Sequence, residues 1–370
     1  MEYKTNISIV GKTNLGRVRT NNEDAFVAQQ LWDENTYLAI AIDGVGGYEG
    51  GEIAAAMAQK TIPEYLLASS NGERVELLKQ AVTAANNAIF DAREADPEHG
   101  QMSCVLTAAI IDVAQRQVSM AHVGDSRLYS FHGGILKKLS HDHSLIGYRE
   151  EIGDLTEEEA MHHPQRNVIG RDVGSQKHKI SDEDFIEAQV FPLLPNTTLL
   201  FCSDGLTDLV TSATITMVLE QRGSMEEKAD ALIKAALEEG GKDNVTVVLF
   251  EYQSDEPENA SAKTEIESEN AVRQAKMDET VCESNDRQSS RRTWPLAIAC
   301  IVFGVLVGTL VGFSVMNSKL NKLKVSQKEE VNCYKDSLTF LCDSIEKLNV
   351  QINNQTQDSI ETIDSDLSHE

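Results

Sequence analysis

Residues 1 to about 252 are predicted to form an α+β domain built on antiparallel sheets. Three observations predict it. Runs rich in β-branched and aliphatic residues recur at strand length, as in "TYLAIAID", "CVLTAAIIDV", "QVSMAHVGDSRLYSF", "TLLFCSD" and "NVTVVLFEY". Longer runs with helical spacing lie between them: "GERVELLKQAVTAANNAIFDARE" and "SMEEKADALIKAALEEG". "FHGGILKKL" places a Gly-Gly turn between two strands, the signature of a hairpin, and hairpins beside helices argue against a regular parallel βαβ winding.

The chain has 370 residues, 41% of them hydrophobic, which suffices for one large or two ordinary domains. A formal charge of −26 excludes a sequence-independent grip on nucleic acid and favours divalent cations or basic partners. Six cysteines, at 104, 202, 282, 300, 333 and 342, form no CxxC pair and no zinc-finger spacing, so the N-terminal bulk reads as reduced. The opening "MEYKTNISIVGK" has charges at once and no apolar stretch of export-signal length.

Composition changes abruptly at Gln253. Residues 253–293 are acidic, polar and nearly free of large apolar side chains, and read as a disordered linker. Residues 294–316, "WPLAIACIVFGVLVGTLVGFSVM", carry no charge and are long enough as a helix to cross a hydrocarbon layer of about 30 Å. Gly304, Gly308 and Gly312 would let two such helices approach closely, which makes a homodimer through this segment one reading of the small-residue stripe. In the tail, 317–370, Val331, Tyr334, Leu338, Leu341, Ile345, Leu348 and Ile352 follow a 3-4 spacing that suits a short coiled coil or a single amphipathic helix. Arg287, Arg291 and Arg292 before the span balance Lys319, Lys322 and Lys324 after it, so charge does not set its direction. The start of the chain leads us to expect a single-pass membrane protein with a cytoplasmic N-terminal domain and the tail outside.

Chemistry is carried by acidic residues at the ends of apolar runs. In "AIDGVGGYEGGEIA" Asp43 closes a strand and is followed by Gly44, Gly46, Gly47, Gly50 and Gly51. A carboxylate there is costly unless something pairs with it, and the glycines free the backbone to approach a bound group. Asp204 in "LLFCSDGLTDLV", Asp243 in "GGKDNVTVVLF" and Asp125 in "AHVGDSRLY" repeat the pattern. "GRVRTNNEDAFV" adds Glu23 and Asp24, with Arg19 four residues before Glu23. Such a set, without histidine or cysteine at ligand spacing, describes an all-oxygen site for Mg2+ or Mn2+. His122, His141, His143, His162 and His163 are taken as structural.

In order along the chain, "GRVRTNNEDA", "AIDGVGGYEGGEIA", "AHVGDSRLY", "LSHDHSL", "HPQRNVI", "LFCSDGLTD" and "GGKDNVTVV" resemble the signature motifs of the metal-dependent protein phosphatases, the 2C class of Ser/Thr phosphatases, in their bacterial form. The resemblance implies a four-layer α-β-β-α sandwich of two antiparallel sheets, followed here by the C-terminal transmembrane helix. It implies two or three Mn2+ or Mg2+ ions. Asp43 would bridge two of them, the Gly44 carbonyl would bind one, and Asp204 and Asp243 would hold the other. Asp125 would help hold a third ion, Glu23 and Asp24 would act through metal-bound water, and Arg19 would grip the substrate phosphate. The implied function is hydrolysis of phosphoserine and phosphothreonine in proteins by a metal-activated water, opposing a Ser/Thr kinase at the membrane. A catalytically silent phosphoprotein-binding module on a membrane tether is the alternative.

The chain departs from the family in three places. Val45 stands where many eukaryotic relatives have a histidine, so the leaving-group proton needs another source. "MSCVL" replaces a Gly-Thr-Thr run and is read as packing. "IGRDVG" departs within residues 149–175, the flap expected to shape substrate access.

Overall fold

A computed structural model describes residues 4–46, 50–96 and 100–255. The linker, the apolar segment 294–316 and the tail lie outside the described residues, as do the expectations placed on them. Among the described residues no helix is long and apolar enough to cross a membrane.

Ten strands make two five-stranded sheets in which every named pairing is antiparallel. One holds β1 (Thr5–Asn14), β10 (Val245–Ser254), β9 (Thr197–Cys202), β6 (Arg127–His132) and β7 (Ile135–Lys138), in that spatial order. The other holds β2 (Ala25–Gln30), β3 (Thr36–Val45), β4 (Ser103–Asp112), β5 (Gln117–Val123) and β8 (Glu187–Pro192). The Gly-Gly turn joins β6 to β7, with Gly133 at φ 58° and Gly134 at φ 78°, backbone angles that glycine adopts without a Cβ penalty. The last strand closes at Ser254, two residues past the expected domain boundary.

Alternation along the strands explains the layers. On β3, Leu38, Ile40 and Ile42 pack under the helices α1 (Gly51–Ala68) and α2 (Arg74–Ala95), while Tyr37, Ala39 and Ala41 face the opposite sheet. Strands buried on both faces read as continuous apolar runs, which is why these segments show so little polar alternation. On the far side Leu200, Cys202, Val245, Val247 and Leu249 pack under α5 (Asp204–Thr207), α6 (Ser212–Glu220) and α7 (Met225–Glu238). Helices, sheet, sheet and helices therefore stack as four layers. The capping box of Ser224 and Glu227 fixes where α7 begins.

"MSCVL" fills the start of β4, buried throughout, with Ser103 Oγ 3.4 Å from the Val45 carbonyl. This agrees with a packing role. The flap region carries two short helices, α3 (Leu145–Glu151) and α4 (Glu157–Met161).

Candidate active site

Side-chain parity turns Asp43 into the layer between the sheets. Asp43 follows Tyr37, Ala39 and Ala41, so it leaves β3 on the inter-sheet face, at the end of the sandwich where β9 runs into Asp204 and Asp243 precedes β10. Glu23 and Asp24 arrive there from the segment before β2. The structure thus brings together Arg19, Glu23, Asp24, Asp43, Asp125, Asp204 and Asp243, whose charges act on one another. The Asp43 and Asp204 carboxyl groups lie within hydrogen-bonding reach.

Their electrostatics are those of crowded, poorly hydrated carboxylates. Burial, then repulsion from Asp24, Asp204, Asp125 and Asp243, holds the Asp43 carboxyl well above the ordinary range. Asp125 and Asp204 are raised in the same way, burial first and a neighbouring aspartate second. Burial also pushes Asp24 up to about 7, against hydrogen bonds from Thr246 and Ser203 that pull it down. Arg19 faces this group directly: its Nη2 donates to Asp243 Oδ2 at 2.8 Å, and this bond is the main reason its guanidinium is held still more firmly charged.

Glycine makes the approach possible at two points. A Cβ at Gly44 would stand 2.4 Å from the carbonyl oxygens of both Glu23 and Gly51, and one at Gly205 would stand 1.9 Å from the Asn244 carbonyl oxygen. The Gly44 N–H donates to the Glu23 carbonyl at 3.1 Å, tying the end of β3 to the acidic segment.

Two residues that hold the ligands in place escaped the sequence reading. Asn244 Oδ1 accepts the Glu23 N–H at 2.8 Å, and its Nδ2 donates to the carbonyls of Leu15 at 2.9 Å and Asn21 at 3.0 Å. It therefore pins the loop that carries Arg19. Ser203 Oγ donates to Asp24 Oδ2 at 2.8 Å and accepts the Thr246 N–H at 3.0 Å. The signal was present in the neighbours of Asp204 and Asp243, in "CSD" and "DNVT", but only pairing between β9 and β10 gives it meaning.

Asp125 sits in a turn fastened by an ionic network. Arg127 donates to Asp142 Oδ2 from Nε at 2.9 Å and from Nη2 at 2.7 Å, and to Glu150 at 2.9 Å. Burial works against the Asp142 charge, but Arg127 and Lys138 outweigh it and hold the carboxyl below its usual range. A cleft beside Asp125 and Asp204 is closed by the flap residues Ala160, Met161 and Arg166, with Arg166 paired to Asp208.

The donor set fits hard divalent cations. It is all oxygen, it carries more negative charge than Arg19 neutralises, and Glu52 Oε2, whose carboxylate bears on Glu23, is buried without a hydrogen-bond partner.

Comparison with known proteins agrees with this geometry. The family model described as protein phosphatase 2C matches residues 13–240. A serine/threonine phosphatase, Stp, of Listeria innocua is 34% identical over 244 residues, which cover 65% of this chain and 94% of that protein. The crystal structure of the Mycobacterium tuberculosis serine/threonine phosphatase PstP/Ppp is 31% identical, with a TM-score of 0.58 over 66% of this chain and 98% of that one. A PstP catalytic-domain structure solved with two manganese ions is 29% identical, with a TM-score of 0.58 over 68% of this chain and all of that one. The chain belongs to the protein phosphatase 2C family of serine/threonine phosphatases.

Proposed function

We propose that this phosphatase hydrolyses phosphoserine and phosphothreonine in proteins at a centre of two or three Mn2+ or Mg2+ ions held by Asp43, Gly44, Asp204, Asp243 and Asp125. The observation that carries the reading is the convergence of five aspartates and Arg19 at one end of the inter-sheet layer. When bound, such ions lower the pKa of a bound water and neutralise charge on phosphoryl oxygens. The chain's own groups do the rest. Arg19, half-exposed beside Asp243, presents a guanidinium fork at the mouth of the site that suits two phosphoryl oxygens. Glu23 and Asp24 would accept hydrogen bonds from water around the ions, and Ser203 Oγ, which donates to Asp24 Oδ2, orients the second of these carboxylates. Val45 has no proton to give, so the leaving hydroxyl takes its proton from water or from another group.

Tethering to a membrane through residues 294–316, opposition to a Ser/Thr kinase on the same membrane, and pairing of two chains through the span are part of this proposal. The uncharged apolar run and its glycines support it. A reporter fused after Glu370 that is active only outside the cytoplasm tests the direction of the span.

The test of function is release of phosphate from a phosphothreonine peptide with Mn2+, with EDTA, and with Asp43→Asn or Asp204→Asn. Metal-dependent release lost in both variants is expected. A folded protein that binds the peptide and releases nothing with any divalent ion would leave the silent binding module as the better account.

A further inference from the structure

His122, His143 and Glu187 offer ligand atoms within 4.8 Å of one another. Three strands put two of them in a row. His122 on β5 stands opposite Thr107 on β4 and opposite Glu187 on β8, so all three lie on the inter-sheet face. His122 is fully buried, and its Nε2 has no hydrogen-bond partner.

The hydrogen bonds decide what this group does. Thr107 has one hydroxyl hydrogen, and the Ser126 carbonyl, which can only accept, lies 2.7 Å from its Oγ1. The 2.8 Å contact between Thr107 Oγ1 and His122 Nδ1 is therefore donated by the histidine, which leaves the lone pair on Nε2. Burial, helped by the charge of Arg171, pushes His143 down to about 3, so its ring is neutral and has one lone pair. Both of its nitrogens already face N–H donors, Gly124 N at 3.1 Å from Nδ1 and Arg171 Nη1 at 3.3 Å from Nε2. No lone pair on His143 is left for a cation, so the cluster is not a third ligand set.

It grips the turn that carries Asp125. The His143 ring accepts the Gly124 N–H at Nδ1 and the His143 backbone N–H donates to the Gly124 carbonyl at 2.7 Å, holding the residue before Asp125 at both ends. Thr107, oriented by His122, takes hold of the residue after it through the Ser126 carbonyl and the Ser126 hydroxyl at 2.9 Å. We propose that Thr107, His122 and His143 are positioning residues for Asp125, setting the affinity of the ion that Asp125 holds without touching that ion. The inference rests on the assignment of Asp125 under Proposed function.

The test is Mn2+ binding to the full chain, followed by the electron paramagnetic resonance of free Mn2+, with peptide hydrolysis in parallel. His122→Leu and Thr107→Val are expected to weaken the weakest Mn2+ site by about 10- to 100-fold, the range for loss of an outer partner, with the tighter ions retained. His122→Asn, which keeps a donor at the Nδ1 position, is expected to restore most of it. Asp125→Asn combined with His122→Leu is expected to bind no more weakly than Asp125→Asn alone. Unchanged Mn2+ binding in folded His122→Leu overturns the proposal, as does equal loss at every site with no rescue by Asn. One equivalent of Zn2+ held by wild type and lost in His122→Leu would also overturn it, because the cluster would then be a metal site. No Mn2+ effect of Asp125→Asn itself would remove the Asp125 assignment, whereas absence of any Mn2+-dependent hydrolysis would sink the earlier reading.

Discussion

Arg19 Nη2 and Asp243 Oδ2 meet at 2.8 Å across 224 residues of sequence, joining the loop before β2 to the turn that leads into β10. The pair places a guanidinium at the rim of an acidic site, where a phosphoryl group with its own negative charge needs it. Arg19→Ala is expected to lower kcat/KM for a phosphothreonine peptide by roughly 10- to 100-fold, the equivalent of one charge-assisted hydrogen bond of about 1.5–3 kcal/mol. Arg19→Lys should recover only part of this, because an ammonium lacks the planar fork. An unchanged kcat/KM in Arg19→Ala would remove the residue from phosphate binding.

The raised carboxyl groups predict how stability follows pH. Asp24 takes up its proton near pH 7 in the folded chain and near pH 4 when unfolded, roughly the ordinary carboxylate value. Protonation therefore favours the fold below pH 4, and that contribution is lost as pH rises through about 7. Thermal melts in EDTA should show a falling Tm between pH 5.5 and 8. Added Mn2+ should raise Tm more at pH 8 than at pH 5.5, since fewer protons have to be displaced. An EDTA melting curve that rises with pH over this window would contradict the crowding of these carboxylates.

Gly44 has no room for a side chain. Gly44→Ala would set a methyl group 2.4 Å from two backbone carbonyl oxygens, neither of which belongs to a flexible side chain. A loss of roughly 2 kcal/mol or more in urea unfolding is expected, in the range of overpacked cores. Mn2+ binding should weaken alongside it, because the methyl group would push Glu23 and Gly51 away from the end of β3. Wild-type stability in this variant would show that the strand end has slack.

Asn244 predicts a separable defect. Its Nδ2 donates to the carbonyls of Leu15 and Asn21, and its Oδ1 accepts from Glu23. Asn244→Ala removes three hydrogen bonds to this partly exposed loop, at a net cost of about 0.5–1.5 kcal/mol each, so the loop should open locally before the domain unfolds. Faster proteolysis within residues 15–23 and a lower kcat/KM, with a nearly unchanged core by circular dichroism, are expected. Protection equal to wild type would mean the loop is held by other contacts.

Much of the site was legible one residue at a time. Asp43, Asp204 and Asp243 each stand where an apolar run meets a turn, and the charge of a strand-end carboxylate asks for a partner wherever the strand goes. The hairpin of β6 and β7 was equally local, since Gly133 and Gly134 tolerate its positive φ angles. The supporting residues were not legible. His122 reads as a lone buried histidine until β5 pairs with β8, which sets Glu187 opposite it from 65 residues away. Ser203 and Asn244 look like ordinary turn residues until β9 and β10 align.

The sequence by itself determined the strands β3 to β7, β9 and β10, the helices α2 and α7, and which apolar runs meet a charged turn, because these follow from periodicity, propensity and side-chain chemistry over a few residues. Only the tertiary structure decided that Asp43 faces between the sheets, that Arg19 meets Asp243, and that Thr107, His122 and His143 enclose the Asp125 turn. Those relations depend on strand register and on which face each strand turns inward. A shift of one residue in pairing exchanges the two faces, and no local pattern fixes that choice for strands buried on both sides.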